Sequence, residues 1–313
     1  MATRILIAGA AGQLGSALLS RWHDGTGPDA GRVEAVGVGS SEMDITDPAA
    51  VREAVRRIDP GVVVNCAAYT AVDAAEADEA AAHAVNTVGA ENLARACADA
   101  GCGLVHLSTD YVFSGAGPGA GTASPASCGA DGYESDDPVG PHTAYGRSKA
   151  AGERAVRRAH PAAVIVRTAW VYTGAVRPGG GDFVATMRRL EAERETVDVV
   201  DDQCGSPTYV RDLARGIAEL TGRLTDGPAA DGPAGRTLHA AGGGAATWYE
   251  VARAVFEELG ADPGRVRACR TEDMPRPAAR PRYSVLSGAS WAAAGLTPLR
   301  HWRPALTAAL AEP

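Results

Sequence analysis

Five apolar runs, each separated from the next by a helical stretch, constrain this chain more than anything else in it. They are "RILIAG" (4–9), "VEAVGV" (33–38), "GVVVNCAA" (61–68), "GLVHLST" (103–109) and "AAVIVRTAWVY" (162–172). Most are continuous rather than alternating, which is the pattern of strands buried on both faces. Between them lie "QLGSALLSRW" (13–22), "PAAVREAVRRI" (48–58), "AAHAVNTVGAENLARACADAG" (81–101) and "AYGRSKAAGERAVRRA" (144–159), with apolar residues at helical spacing. Pro48 opens the second helix and Gly101 closes the third. Strand and helix in strict turn predict an α/β fold, a Rossmann-like doubly wound parallel sheet covered on both faces.

Beyond residue 173 the alternation fades. Amphipathic stretches at 183–195, 209–222 and 247–260 are separated by short strands at 196–200 and 236–242. Thr247 and Glu250 read as a capping box for the last of these helices. The expected organisation is a nucleotide-binding domain over 1–172 and a smaller, mainly substrate-binding lobe over 173–313, with some interleaving. Two Gly/Pro-rich stretches, 114–141 and 226–235, read as loop and linker. No internal repeat is present.

Charge and cysteine usage exclude several classes. A formal net charge of −8 with scattered arginines argues against nucleic-acid or anionic-membrane partners. No apolar run approaches the roughly 20 residues of a membrane span, and the glycine-punctuated N-terminus reads as strand and turn rather than signal peptide. The six cysteines (66, 97, 102, 128, 204, 269) form no CxxC pair and no metal spacing. They are expected to be free thiols of a cytoplasmic protein.

Two motifs carry chemistry. In "IAGAAGQLG", Gly9, Gly12 and Gly15 stand between the first strand and first helix. There they permit a tight turn and let backbone approach a pyrophosphate at the helix N-terminus. The second motif is Tyr145 and Lys149, four apart on one helix face. Lys149 is the sole lysine among 30 basic residues. A compact ammonium beside a phenol is expected to favour phenolate and bring its pKa toward neutrality, making Tyr145 a proton donor to an alkoxide. Thr109 ends the fourth strand, where such sheets present ligand-contacting groups. Asp110 follows it, as a sugar contact or a turn residue.

The GxxGxxG spacing with YxxxK resembles the extended short-chain dehydrogenase/reductases. "NCAAYTAVDAAE" (65–76), "STDYVF" (108–113), "RTAWVY" (167–172), "VVDDQCGSPTY" (199–209), "LHAAGGGAATWYEVA" (238–252) and "RPRYSVLS" (280–287) are similar to the dTDP-4-dehydrorhamnose reductase family, from residue 4 to about 305. The resemblance implies catalytic roles for Tyr145, Lys149 and Thr109. It implies cofactor contacts from Gly9, Gly12, Gln13, Leu14, Gly15, Asp44, Ile45, Ala67, Ala68, Tyr69, Tyr145 and Lys149. It implies sugar contacts from Thr109, Asp110, Tyr145 and Trp170. Ordinary core packing would also account for Trp170, and a helix start for Asp44. Ala74 stands where the family commonly has lysine, and the 114–141 loop is longer than in its compact members. The tail "HWRPALTAALAEP" offers only Glu312 for the magnesium some members bind, so no metal is expected.

The implied reaction is NAD(P)H-dependent reduction of the C4 ketone of dTDP-4-dehydrorhamnose to dTDP-L-rhamnose, by a monomer or homodimer. NADPH is expected to serve at least as well as NADH. The segment after the second strand, "VGVGSSEMD", shows neither an acid placed to repel a 2′-phosphate nor an arginine to bind one. A 4-ketoreductase for another dTDP-4-keto-deoxysugar shares the same motifs. A non-catalytic subunit of this fold would be expected to lose Tyr145 or Lys149, and this chain keeps both. Tyr111 after Asp110 argues against a dehydratase, which needs an acidic pair there.

Overall fold

A computed structural model describes residues 2–24, 31–118, 128–129, 131–175, 181–226 and 232–311. The first half follows the expected alternation: β1 (Thr3–Ala8), α1 (Gln13–His23), β2 (Val33–Val38), α2 (Pro48–Ile58), β3 (Val62–Asn65), α3 (Val72–Ala77), α4 (Glu79–His83), α5 (Ala90–Ala100), β4 (Gly103–Thr109), α6 (Ala144–Ala159) and β5 (Val164–Thr168). The second half contains β6 (Val171–Tyr172), α7 (Phe183–Glu193), β7 (Val197–Val200), β8 (Cys204–Gly205), β9 (Thr208–Tyr209), α8 (Val210–Thr225), β10 (Thr237–His239), β11 (Ala246–Thr247), α9 (Trp248–Glu258), β12 (Val266–Cys269), α10 (Ala289–Ala293) and α11 (Trp302–Leu310).

The main sheet has six parallel strands in the order β10-β5-β4-β3-β1-β2. Successive side chains alternate between its faces. Leu6, Val63, Leu104 and Ile165 meet α2, α5 and the end of α6 on one side. Ile5, Ile7, Val62, Val64, Val105 and Val166 meet Leu18 of α1 and Leu213, Ile217 and Leu220 of α8 on the other. Strands are added outward from β1 to one side as β2 and to the other as β3, β4 and β5, so the order switches between β1 and β3, the point outside whose carboxyl ends ligands bind in such sheets.

Two features depart from the sequence reading, and a third concerns how the two halves share elements. The sixth strand, β10, and the helix α8 covering one sheet face both come from beyond residue 173, so sheet and smaller lobe interleave. That lobe has its own core, where α7, α9 and α11 pack around Val197, Val255, Phe256 and Leu306. The expected helix at 81–101 begins at Glu79, capped by Asp78, and passes through a π-helical turn at Ala84–Gly89. Asn86 in that turn is buried, and its amide bonds both the N–H and the carbonyl of Tyr69 and the Ser148 hydroxyl. A Cβ on Gly152 of α6 would lie 2.1 Å from the Asn86 carbonyl, so glycine there lets α6 press onto the turn. The expected strand at 162–172 breaks at Trp170, which takes φ +47. Beyond the break, β6 pairs with β9 and leaves the main sheet.

The cysteine expectation is corrected for two of six. Cys128 and Cys204 form a disulfide across 76 residues, with Cα atoms 5.7 Å apart. Cys66, Cys97, Cys102 and Cys269 remain thiols. Residues 76 apart are brought together only by the tertiary fold, so no short spacing in the sequence signals the pair. Among the described residues no helix is long and apolar enough to cross a membrane, and no cluster of His, Cys, Asp or Glu could hold a metal.

Candidate active site

A cleft of about 720 Å³ opens at the carboxyl ends of the central strands. Its floor is the glycine turn. Gly9 has φ +77, and a Cβ on it would lie 2.6 Å from the Ala67 nitrogen, so β1 and β3 close on one another as only glycine permits. A Cβ on Gly15 would lie 2.4 Å from the Gly9 carbonyl. Gly12 stands at the N-cap of α1 and provides no side-chain cap, so the first-turn N–H groups of that helix are left for an anionic ligand. Gly12, Gln13, Leu14, Gly15 and Ala68 line the cleft. Ala67 lies against Gly9. The half-buried Tyr69 has its backbone fixed by Asn86. This uncapped, tightly closed turn fits the diphosphate of a dinucleotide cofactor.

Asp44 and Ile45 do not reach this cleft. The Asp44 carboxylate accepts from the N–H and hydroxyl of Thr46. Ile45 is buried against the sheet-and-helix core. The one acid of the segment "VGVGSSEMD" other than Asp44 is engaged by its own turn. Glu42 folds back, and its carboxylate accepts from the Gly39 N–H at 2.9 Å.

Thr109, Asp110, Tyr145 and Lys149 meet in the cleft wall. Thr143 caps α6 by accepting from the Gly146 N–H, and a Cβ on Gly146 would strike the Tyr111 carbonyl at 2.3 Å. Helix α6 is thereby seated against the end of β4, and Tyr145 and Lys149 come off its buried face. Lys149 Nζ donates to the Leu107 carbonyl at 2.6 Å. Burial brings its pKa down from 10.5 to about 8, opposed by the Glu153 carboxylate. Burial pushes the Tyr145 phenol up to about 12, against hydrogen bonding from Thr109 and with Asp110 adding to the rise. Burial thus runs against the expectation of a phenol brought toward neutrality by its lysine, and in this cleft the phenol stays protonated.

Thr109 donates its hydroxyl proton to Asp110 Oδ1 at 2.9 Å. Burial raises the Asp110 carboxyl to about 6, with Ser284 and Thr109 holding it partly down. The Thr168 hydroxyl is a buried cleft-lining oxygen with no hydrogen-bond partner, so the cleft presents a polar atom to a polar ligand.

The opposite wall is aromatic. Trp170 lines the cleft and stacks on Trp248, centroids 3.5 Å apart and planes 3° from parallel. Phe183 packs against Trp248 at 4.5 Å. Gly205 backs the Trp170 indole so closely that a Cβ there would lie 2.3 Å from it. Core packing alone does not describe Trp170, since it is a half-buried cleft residue held in a left-handed backbone conformation. Sequence reading missed Trp248 as a wall residue, because its place at the start of a capped helix suggested only a helix. Thr70, Val72, Tyr111 and Thr168 were missed as well; Thr70 and Val72 fall in the "AAYTAVD" segment, next to residues already singled out.

The chain has relatives among known proteins along its whole length. The model of the RmlD substrate binding domain family matches residues 3–313. The chain is 53% identical to a dTDP-4-dehydrorhamnose reductase of Mycobacterium tuberculosis over 99% of its length and 93% of that protein. It is 44% identical to a dTDP-4-keto-6-deoxy-D-glucose reductase of Streptomyces niveus, covering 99% and 97%. The crystal structure of dTDP-4-dehydrorhamnose reductase from Bacillus anthracis in complex with NADP superposes with a TM-score of 0.84 at 34% identity, covering 100% of both chains. With a glycine-turn floor, a Tyr–Lys–Thr wall and these relatives along its whole length, the chain belongs to the dTDP-4-dehydrorhamnose reductase family.

Proposed function

We propose that this chain reduces the C4 ketone of dTDP-4-dehydro-β-L-rhamnose to give dTDP-L-rhamnose, with NADPH as reductant and NADH accepted. The observation that carries the proposal is the meeting of Tyr145, Lys149 and Thr109 in one cleft, between the uncapped turn of α1 and the Trp170 wall. Reduced nicotinamide supplies the hydride when the cofactor is bound. Tyr145, held protonated by burial, gives its proton to the C4 oxygen as negative charge develops there. Thr109 turns its hydroxyl proton from Asp110 to the same oxygen and steadies it. Lys149 would hold the cofactor ribose, and its charge would steady the phenolate left on Tyr145 as the proton departs. Gly12, Gln13, Leu14 and Gly15 hold the diphosphate. Asp110 and Trp170 orient the sugar, one by hydrogen bonding and one by its ring face. The same reading makes the protein a cytoplasmic monomer or homodimer.

A second reading, a 4-ketoreductase for another dTDP-4-keto-6-deoxysugar, is favoured by the similarity to the Streptomyces niveus protein. One assay decides between them. Purified protein is offered a panel of dTDP-4-keto-6-deoxysugars with NADPH, and products are identified by NMR. Turnover fastest on dTDP-4-dehydrorhamnose with an L-rhamnose product supports the first reading. Turnover only on another sugar supports the second. No turnover on any of them refutes both.

A further inference from the structure

Tyr145, Lys149 and Glu153 follow one another at four-residue intervals on α6 and share a face. Lys149 Nζ donates to the Leu107 carbonyl at 2.6 Å, and the Ser108 hydroxyl donates to Glu153 Oε1, also at 2.6 Å. Side chains one helical turn apart thus grip consecutive residues of β4, and the next residue of that strand is Thr109. Arg167 of β5 holds the same carboxylate, its Nε reaching Oε1 at 2.9 Å and Nη2 reaching Oε2 at 2.8 Å. The Arg167 and Glu153 side chains are only 6% and 9% exposed. Arg167 also donates to the Ser135 carbonyl and lies over the Phe113 ring. Neither Glu153 nor Arg167 lines the cleft.

A buried ion pair is a poor source of stability, because desolvating both charges offsets most of their attraction. This one lies one helical turn behind the cleft lysine. We infer that Glu153 is a positioning residue that acts through Lys149: its carboxylate keeps the buried ammonium protonated while its bond to Ser108 fixes the end of β4 under Thr109. The inference rests on the Tyr145–Lys149–Thr109 reading of the site. Among the described residues, the charged and titratable groups around Lys149 come from four elements. Tyr145 and Glu153 come from its own helix, Cys66 from the end of β3 and His106 from β4, with Arg167 behind Glu153 on β5. Burial holds the Cys66 thiol neutral at a pKa of about 12 and holds His106 neutral by lowering its pKa. Glu153 is left as the leading electrostatic support for the charge on Lys149.

Lys149 is the sole lysine, so protein labelled with ¹³C at the lysine ε-carbon gives one side-chain resonance, and its titration reports Lys149 directly. The midpoint in the unmodified protein is expected at about 8. Glu153→Gln should lower it, by roughly half a pH unit or more, because it removes an anion one helical turn away on the same face. Glu153→Asp, which keeps the anion, should restore most of it. Because Glu153→Gln strands a buried guanidinium, the double variant Glu153→Gln/Arg167→Met is titrated beside it, and its midpoint should also fall. A midpoint that stays in place in either folded glutamine variant, while thermal stability drops, makes Glu153 a brace only and overturns the inference. The titration uses neither substrate nor cofactor. A failed reductase assay would thus count against the proposed reaction, and a fixed midpoint against the role of Glu153.

Discussion

Gly205→Ala tests whether the Trp170 wall is as rigid as its surroundings imply. The added Cβ would lie 2.3 Å from Trp170 Cε2, 2.5 Å from Cζ2 and 2.6 Å from Nε1. Ordinary carbon contacts lie at about 3.5–4.0 Å, so the indole must retreat by roughly 1 Å or more. It has little room to do so. Its backbone is fixed at φ +47, and its far face is stacked on Trp248. Gly205 cannot yield either, since β8 pairs with β11 and the Cys204 N–H and carbonyl bond Arg282 and Ser284. Overpacking of this kind costs about 1–3 kcal/mol. For a chain of 313 residues that is a fall in Tm of about 1.5–4.5 °C. The displaced indole should also raise KM for the sugar nucleotide several-fold while the Kd for NADPH stays unchanged, because the glycine turn lies across the cleft. Differential scanning fluorimetry, steady-state kinetics and calorimetric cofactor titration read the three quantities. An unchanged Tm together with an unchanged sugar KM would refute the argument that Gly205 and Trp170 form one rigid wall.

Tyr145→Phe removes the proposed proton source and keeps the ring, so kcat should fall by about 10²–10⁴-fold with NADPH affinity retained; near-normal turnover would remove Tyr145 from the chemistry. Stability should fall as pH drops from about 6 toward 4. His239, taken by burial from 6.5 to about 3, and His106, also lowered, stay neutral in the fold and take up protons on unfolding. Asp110, raised from 3.8 to about 6, binds one proton in the fold and opposes them. The balance near pH 5 is about one proton, or about 1.4 kcal/mol per pH unit, and urea melts that show stability flat or rising toward pH 4 would contradict it. Cys128→Ser opens a cross-link between residues 76 apart and should lower stability by about 2–4 kcal/mol under oxidising conditions, with no effect under strong reductant. Equal melts of the variant and parent without reductant would show that the disulfide does not form in solution.

The alternation of apolar runs with helical stretches determined the parallel sheet, because continuous apolar strands can be satisfied only when both faces are covered. The floor and one wall of the cleft were legible for a similar reason. Gly9, Gly12 and Gly15 act through local backbone geometry, and Tyr145 and Lys149 share a face by helix periodicity alone. What tertiary structure decided lies between residues distant in the chain. β10 joins the sheet from beyond residue 173, the chain turns out of β5 at Trp170 to meet Trp248 and Gly205, and Cys128 finds Cys204. No short-range pattern marks these partners, since each pairing is set by how whole elements pack. The protonation of the site was hidden for a further reason. Sequence puts a cation one turn from the Tyr145 phenol and predicts a lowered pKa, but desolvation raises it to about 12. How much water a group loses depends on everything packed around it: here Tyr69, Val72, Ala75 and Tyr111 close over a phenol that the sequence shows only as a neighbour of Lys149 on a helix.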